Sequence, residues 1–139
     1  MMSNNHELRL NIAEVNEVIK QAFVETALLY SAKNTEVISE VGAFSSHPDS
    51  DIVDNGILRS RQTLDFPGNT EADLYWPVEY AAYVHEGYIR RNGTVVTGRP
   101  WTELAAERLD INQTFSTLVD EGLESVSYTH LTLPTKLSV

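Results

Sequence analysis

Residues 76–101 read WPVEYAAYVHEGYIRRNGTVVTGRPW, and the fold is most legible there. Pro77 cuts whatever extended chain precedes it. Val78, Tyr80, Ala81, Ala82, Tyr83 and Val84 are too apolar all round for an exposed loop. A short buried helix and a strand both fit, because periodicity cannot arbitrate over so few residues. Gly87 ends the run. Arg91-Asn92-Gly93-Thr94 marks a hairpin tip, since Asn-Gly accepts the positive φ values of a type I′ turn, and Val95-Val96 follows as the returning strand. Pro100 then stands where a first helical residue needs no N–H. Trp101, Leu104, Ala105, Ile111, Phe115 and Leu118 continue as one apolar stripe to about Leu123, which predicts a closing helix. The plan expected of this stretch is buried aromatics at Tyr80 and Tyr83, a projecting hairpin, and a helix starting at Pro100-Trp101.

Upstream, Ala72-Asp-Leu-Tyr-Trp76 reads as a short strand, and Gln62, Leu64 and Phe66 alternate against Thr63 and Asp65 before Pro67-Gly68 forces a turn. The two should pair as an antiparallel hairpin across Pro67 to Glu71. Asp54-Asn55-Gly56 gives a turn before the first of them. Between about Glu7 and Ala32, Ile12, Val15, Ile19, Phe23, Ala27 and Tyr30 recur in steps of three and four, the signature of an amphipathic helix of roughly six or seven turns. Thr35 to Val53 carries Val37-Ile38 and then Gly42, Ser45, Ser46, Pro48, Asp49, Ser50 and Asp51, which favour irregular backbone and predict a loop. Helix, loop, short strands and helix make the expected class α+β: a small antiparallel sheet with a projecting β-hairpin, packed by a long N-terminal helix and a C-terminal helix.

The chain has 139 residues, enough for one domain with a modest core. Its formal net charge of −10 is spread along the sequence. That disfavours tight binding to nucleic-acid phosphates, which needs clustered Lys and Arg, while leaving room for a protein that merely surrounds passing DNA. There is no cysteine, hence no disulfide and no thiolate metal site. Met1 to Leu10 has no apolar core of signal-peptide length, and no run of about 18 apolar residues occurs, so synthesis in the cytoplasm and no membrane span are expected.

Ser127 to Val139, SYTHLTLPTKLSV, loses the acidic character of what precedes it. It reads either as adapter-derived sequence, non-native to the gene, or as a disordered tail. The expected organisation is therefore a single domain over residues 1–126, with 127–139 set apart from functional reasoning.

Few residues stand in patterns that carry chemistry. His85-Glu86 begins like a zinc-protease motif, but position 89 is Ile rather than the second His that would face the same metal. His6, His47 and His130 have no metal-ligand spacing. Asp49, Asp51 and Asp54 would suit a hard divalent cation if their loop curled, although the Gly and terminal Glu of a calcium loop are not at their places. No nucleophile elbow, phosphate-binding glycine loop or dinucleotide fingerprint occurs. No catalytic residue, metal ligand or cofactor is expected. Arg59, Arg61, Arg90, Arg91 and Arg99 make up five of the ten basic residues. Arg90 and Arg91 flank the hairpin tip, where guanidinium groups can meet carboxylates of a neighbouring subunit.

Three segments resemble a known family. Asp54-Asn-Gly-Ile-Leu-Arg-Ser60 is similar to an Asp-x-Gly-x-Leu-Arg-x-Ser segment of the small head-to-tail joining and tail-completion (neck) proteins of tailed bacteriophages. Val78-Glu-Tyr-Ala-Ala-Tyr-Val-His-Glu-Gly87 resembles their Val-x-Tyr-Ala-x-Tyr-Val-x-x-Gly segment, and Gly98-Arg-Pro-Trp101 the Gly-Arg-Pro-Phe or Lys-Pro-Gln-Pro-Phe entry to their last helix. Order and spacing agree over roughly Asp54 to Glu107. Asn55 stands in place of a usual small hydroxyl residue, and Trp101 where Phe is commoner.

The resemblance implies a non-enzymatic virion protein of the neck, in the head-to-tail interface. It would form a ring with copies of itself, as a hexamer or dodecamer, between the portal or its adaptor and the tail-tube or tail-terminator protein, with DNA only passing through the lumen. Gly56, Leu58, Tyr80, Tyr83, Gly87, Pro100 and Trp101 are then its structural signature. Arg59, Tyr88, Arg90, Arg91, Asn92, Gly93, Thr94 and Arg99, with the Glu36 to Val53 loop, are the candidate subunit or partner interface. Two other readings compete: a small metal-dependent hydrolase using His85, Glu86 and the Asp49 to Asp54 loop, and a cytosolic interaction module unrelated to virions.

Overall fold

The structure, a computed structural model, describes residues 2–52 and 56–132, with side chains described for 12–52 and 56–126. The elements in order are α1 (Met2–Ser39), α2 (Ile57–Ser60), β1 (Thr63–Gly68), β2 (Glu71–Tyr75), α3 (Ala81–Glu86), β3 (Gly87–Ile89), β4 (Val95–Thr97), α4 (Trp101–Arg108) and α5 (Ile111–Thr132). The class is α+β, with the antiparallel strands in two separate hairpins, β1–β2 and β3–β4. The turn expected at Asp54-Asn55 lies outside the described residues.

The described backbone groups into two compact units, residues 2–26 with 111–132, and residues 27–52 with 56–110. In the first, Ala22 and Thr26 of α1 are buried, and Thr26 Oγ1 donates to the Ala22 carbonyl at 2.7 Å, which satisfies a hydroxyl turned inward. Thr114, Phe115, Leu118, Val119, Gly122, Leu123 and Val126 of α5 are half-buried at helical spacing. A Cβ on Gly122 would fall 2.5 Å from Val18 Cγ1, so α5 comes close to α1 at that point.

The second unit holds the larger core: Val37, Ile38, Ile52, Leu58, Ala81, Trp101 and Ala105, flanked by half-buried Tyr30, Phe44, Trp76, Val78, Val84 and Leu104. Val37 and Ile38 are fully buried on the last turn of α1, so helix continues where the sequence suggested a loop. The burial of this apolar pair is what carries the helix past Ala32. The irregular segment that follows closes on itself, Gly42 N–H donating to the Ser50 carbonyl at 3.1 Å and Ile52 N–H to the Ile38 carbonyl at 3.3 Å.

The inward face of α1 also differs from the expected stripe. Ile12 is 58% and Ile19 41% exposed, while the buried line runs through Ala22, Thr26, Asn34 and Val37-Ile38. Steps of four select this line, and two polar residues on it, Thr26 and Asn34, hid it from a reading based on hydrophobicity. Asn34 is accommodated by its Nδ2, which donates to the Tyr30 carbonyl at 2.9 Å.

The β1–β2 pair is the expected antiparallel hairpin, with Thr63 opposite Tyr75 and Leu64 opposite Leu74 and an irregularity between Asp65 and Gly68 where Pro67 has no N–H to donate. Residues 57–60 form one helical turn, α2, which presents Leu58 to the core. Residues 81–86 resolve as helix, ended by Gly87 at φ +83°. The single closing helix expected from Trp101 to Leu123 is instead two, because Leu109 is extended (φ −117°, ψ 107°). Asp110, a residue type favoured at helix N-caps, directly precedes α5. Pro100 is the residue before α4 rather than its first, at φ −75° and ψ 79°.

Candidate functional site

The β3–β4 hairpin forms where expected, with Tyr88 opposite Val96 and Ile89 opposite Val95. Its turn is not type I′. Among the described residues only glycines have positive φ, so Asn92 is not left-handed; Gly93 alone is, at φ +84°. Gly93 N–H donates to the Arg90 carbonyl at 2.9 Å, and Arg90 N–H to the Thr94 carbonyl at 2.8 Å. This is a three-residue loop with a glycine bulge, in which Asn92 contributes its side chain: Oδ1 accepts the Thr94 N–H at 3.0 Å. Ile89 and Val95 are 70% and 69% exposed, so two aliphatic side chains stand beside the Arg90-Arg91 tip.

The hairpin's base is a close crossing of two backbones. A Cβ on Gly87 would lie 2.6 Å from Gly98 N and from Val96 O, and one on Gly98 would lie 2.5 Å from Glu86 C. Glycine at both positions lets the end of α3 and the end of β4 touch, and Arg99 N–H then donates to the Val84 carbonyl at 2.8 Å.

Beside the hairpin, β2, α3 and α4 enclose an open groove of about 290 Å³ lined by Leu74, Tyr75, Trp76, Ala81, Ala82, His85, Glu86, Trp101 and Thr102. Trp76 and Trp101 meet edge to face at 5.2 Å, and the His85 ring meets Trp101 in the same way at 4.8 Å. His85 is held at both nitrogens, Nδ1 to Glu86 Oε1 and Nε2 to Thr102 Oγ1, each at 2.6 Å. Behind it, Tyr30 OH donates to the Thr102 carbonyl at 2.9 Å. Trp76 Nε1 donates to Gln62 Oε1 at 3.2 Å, and Gln62 Nε2 reaches the Ser31 carbonyl at 2.8 Å. These bonds tie the groove's aromatic wall to α1. At its edge, Tyr75 OH donates to Asp65 Oδ2 at 2.6 Å, a bond that raises the phenol above its ordinary pKa.

The anticipated residues do not gather in one place. Leu58 and Trp101 are core, at 1% and 2% exposure. Tyr80 and Tyr83 are not buried as expected but 42% and 60% exposed, because helix α3 turns Ala81 inward instead; Tyr83 stacks edge to face on Tyr88 at 5.9 Å. Arg90, Arg91, Asn92, Gly93 and Thr94 gather at the tip, while Arg59 donates to Ser39 Oγ at 2.8 Å and Arg99 to the Asp51 carbonyl at 3.4 Å, both away from it. Gly56 sits before α2 at φ +71°.

Tyr75, Trp76, Ala82 and Thr102 were not singled out from the sequence as groove residues. Nothing local marks Thr102, whose hydroxyl matters only because His85, 17 positions away, is brought to it. No three His, Cys, Asp or Glu side chains gather as a metal-ligand set among the described residues, and Asp54 lies outside them. No described helix is long and apolar enough to cross a membrane. The chain matches no protein-family model, no curated protein and no solved structure.

Proposed function

We propose that the protein is a structural subunit of a tailed-phage neck, assembled as a ring that joins the portal-connector complex to the tail. The observation that carries this reading is the convergence of the three family-like segments: Leu58, Ala81 and Trp101, one from each, pack in a single buried cluster. Segments that resemble a family in order and spacing, and that also build one core, support a shared architecture. The projecting hairpin supplies a surface for a neighbour, and closed rings need such unlike, head-to-tail contacts. A net charge of −10 suits a lumen through which DNA slides without being held.

Localisation in the particle is the test. Gold labelling or reconstruction of virions should place the chain at the head-to-tail junction, with portal and tail-tube genes beside its own. Density in the capsid shell or along the tail shaft, or absence from the particle, overturns the reading.

A hydrolytic reading is favoured by one observation, the order of Glu86, His85 and Thr102: carboxylate, imidazole, hydroxyl, in hydrogen-bond sequence at the groove. It requires turnover of a chromogenic ester that Thr102→Ala and His85→Ala both abolish. Hydrolysis no faster than buffer removes it.

A further inference from the structure

We propose that the groove between β2, α3 and α4 receives the Arg90-Arg91 hairpin tip of a second copy of this chain. The inference rests on the ring reading and names the contact that would build the ring.

The groove has the chemistry of a guanidinium socket. Its accessible aromatic walls are Tyr75 and half-buried Trp76, with buried Trp101 packed against Trp76, and it is lined by the Glu86 carboxylate with no Lys or Arg among its residues. Aromatic faces attract a planar cation, most strongly when a carboxylate nearby accepts its N–H groups. Glu86 gives only one oxygen to His85 and keeps 73% of its side chain exposed, so the second oxygen is available. More negative charge lies along the groove's edge, where Asp65 holds Tyr75 and Asp73 pairs with Asp65 across β1–β2.

The occupant follows from charge and from the hairpin's shape. Basic residues number ten against twenty acidic ones, yet two arginines are adjacent at one exposed tip, and neither guanidinium has a partner among the described residues. Ile89 and Val95, both largely exposed, provide apolar shoulders that would seat against the aromatic walls. The chain's own tip does not reach its own groove. β3 starts at Gly87, directly after Glu86, and its three residues carry the tip roughly 10 Å further along. A second copy meets the requirement without any change of fold. Because tip and groove are different surfaces, the contact is heterologous and can repeat until it closes.

The natural absence of cysteine makes the test direct. Ala82→Cys, in the groove, and Thr94→Cys, at the tip with both arginines kept, are mixed at high concentration and oxidised, with Ser46→Cys as a control partner on the exposed loop. The proposal expects a disulfide-linked heterodimer from the Ala82→Cys and Thr94→Cys pair, several-fold above the Ser46→Cys pair. In sedimentation, Arg90→Glu/Arg91→Glu and Glu86→Arg should each weaken self-association at least tenfold, and combining them should restore part of it. A groove-to-tip yield no higher than the control, or association indifferent to both charge reversals, overturns the proposal. If the cross-link fails while labelled chain is found at the neck, the socket falls and the neck reading stands. If the cross-link forms but the chain is absent from particles, the socket stands and the neck reading falls.

Discussion

Trp76 and Trp101 meet edge to face at 5.2 Å, joining the residue after β2 to the first residue of α4. The contact is both core and groove wall, since Trp101 is 2% exposed and Trp76 half-buried. Trp101→Ala should therefore cost about 3–5 kcal/mol, the usual penalty for emptying a large aromatic site. Trp101→Phe should cost much less, because the buried Nε1 makes no hydrogen bond among the described residues that the substitution would break. Denaturant titration of the two variants checks the order; equal losses would mean that Trp101 acts through something other than its volume.

Gly87 and Gly93 have nearly the same φ, +83° and +84°, but different surroundings. A Cβ at Gly93 meets nothing within 4 Å, whereas at Gly87 it meets Val96 O at 2.6 Å. Gly93→Ala should lose about 1–2 kcal/mol from left-handed strain alone. Gly87→Ala should lose clearly more, because backbone must also move. Midpoints of chemical unfolding separate the two, and a Gly87→Ala variant as stable as Gly93→Ala would contradict the close crossing.

Arg108 Nη1 donates to Glu40 Oε2, tying the end of α4 to the end of α1. The bond holds the Glu40 carboxyl below its ordinary pKa. A depressed native value means that the stabilisation is complete above the ordinary glutamate value and disappears as pH falls through the depressed one. Glu40→Gln should be less stable than the parent at neutral pH, with the difference shrinking to nothing in acid and narrowing with added salt. Thermal melts across pH test this; a difference independent of pH would assign the effect to packing.

The Tyr75–Asp65 hydrogen bond gives the opposite sign. The nearby carboxylate raises the phenol's pKa, so its contribution is complete below the ordinary tyrosine value and is lost as pH rises through the raised one. Ultraviolet difference titration should contain a late-ionising component from Tyr75. Tyr75→Phe should remove that component, and Asp65→Asn should return it toward the ordinary range.

Local chemistry was enough for much of the second unit. Pro67-Gly68 set the first hairpin, Asn92-Gly93 the second tip, Gly87 the end of α3, and Pro100-Trp101 the start of α4, because each residue restricts or frees φ within its own few positions. These stops and turns, and the α+β order, follow from residues acting over a few positions. The tertiary structure decided which way side chains face: Val37-Ile38 extend α1 only because there is a core to receive them, and Tyr80 and Tyr83 turn outward because Ala81 turns in. It also decided the groove, where Trp76, His85 and Trp101 come together with Thr102 through contacts spanning many residues. Periodicity reports which face of one element is apolar, whereas a site made by three elements depends on how they pack, and no local pattern encodes that.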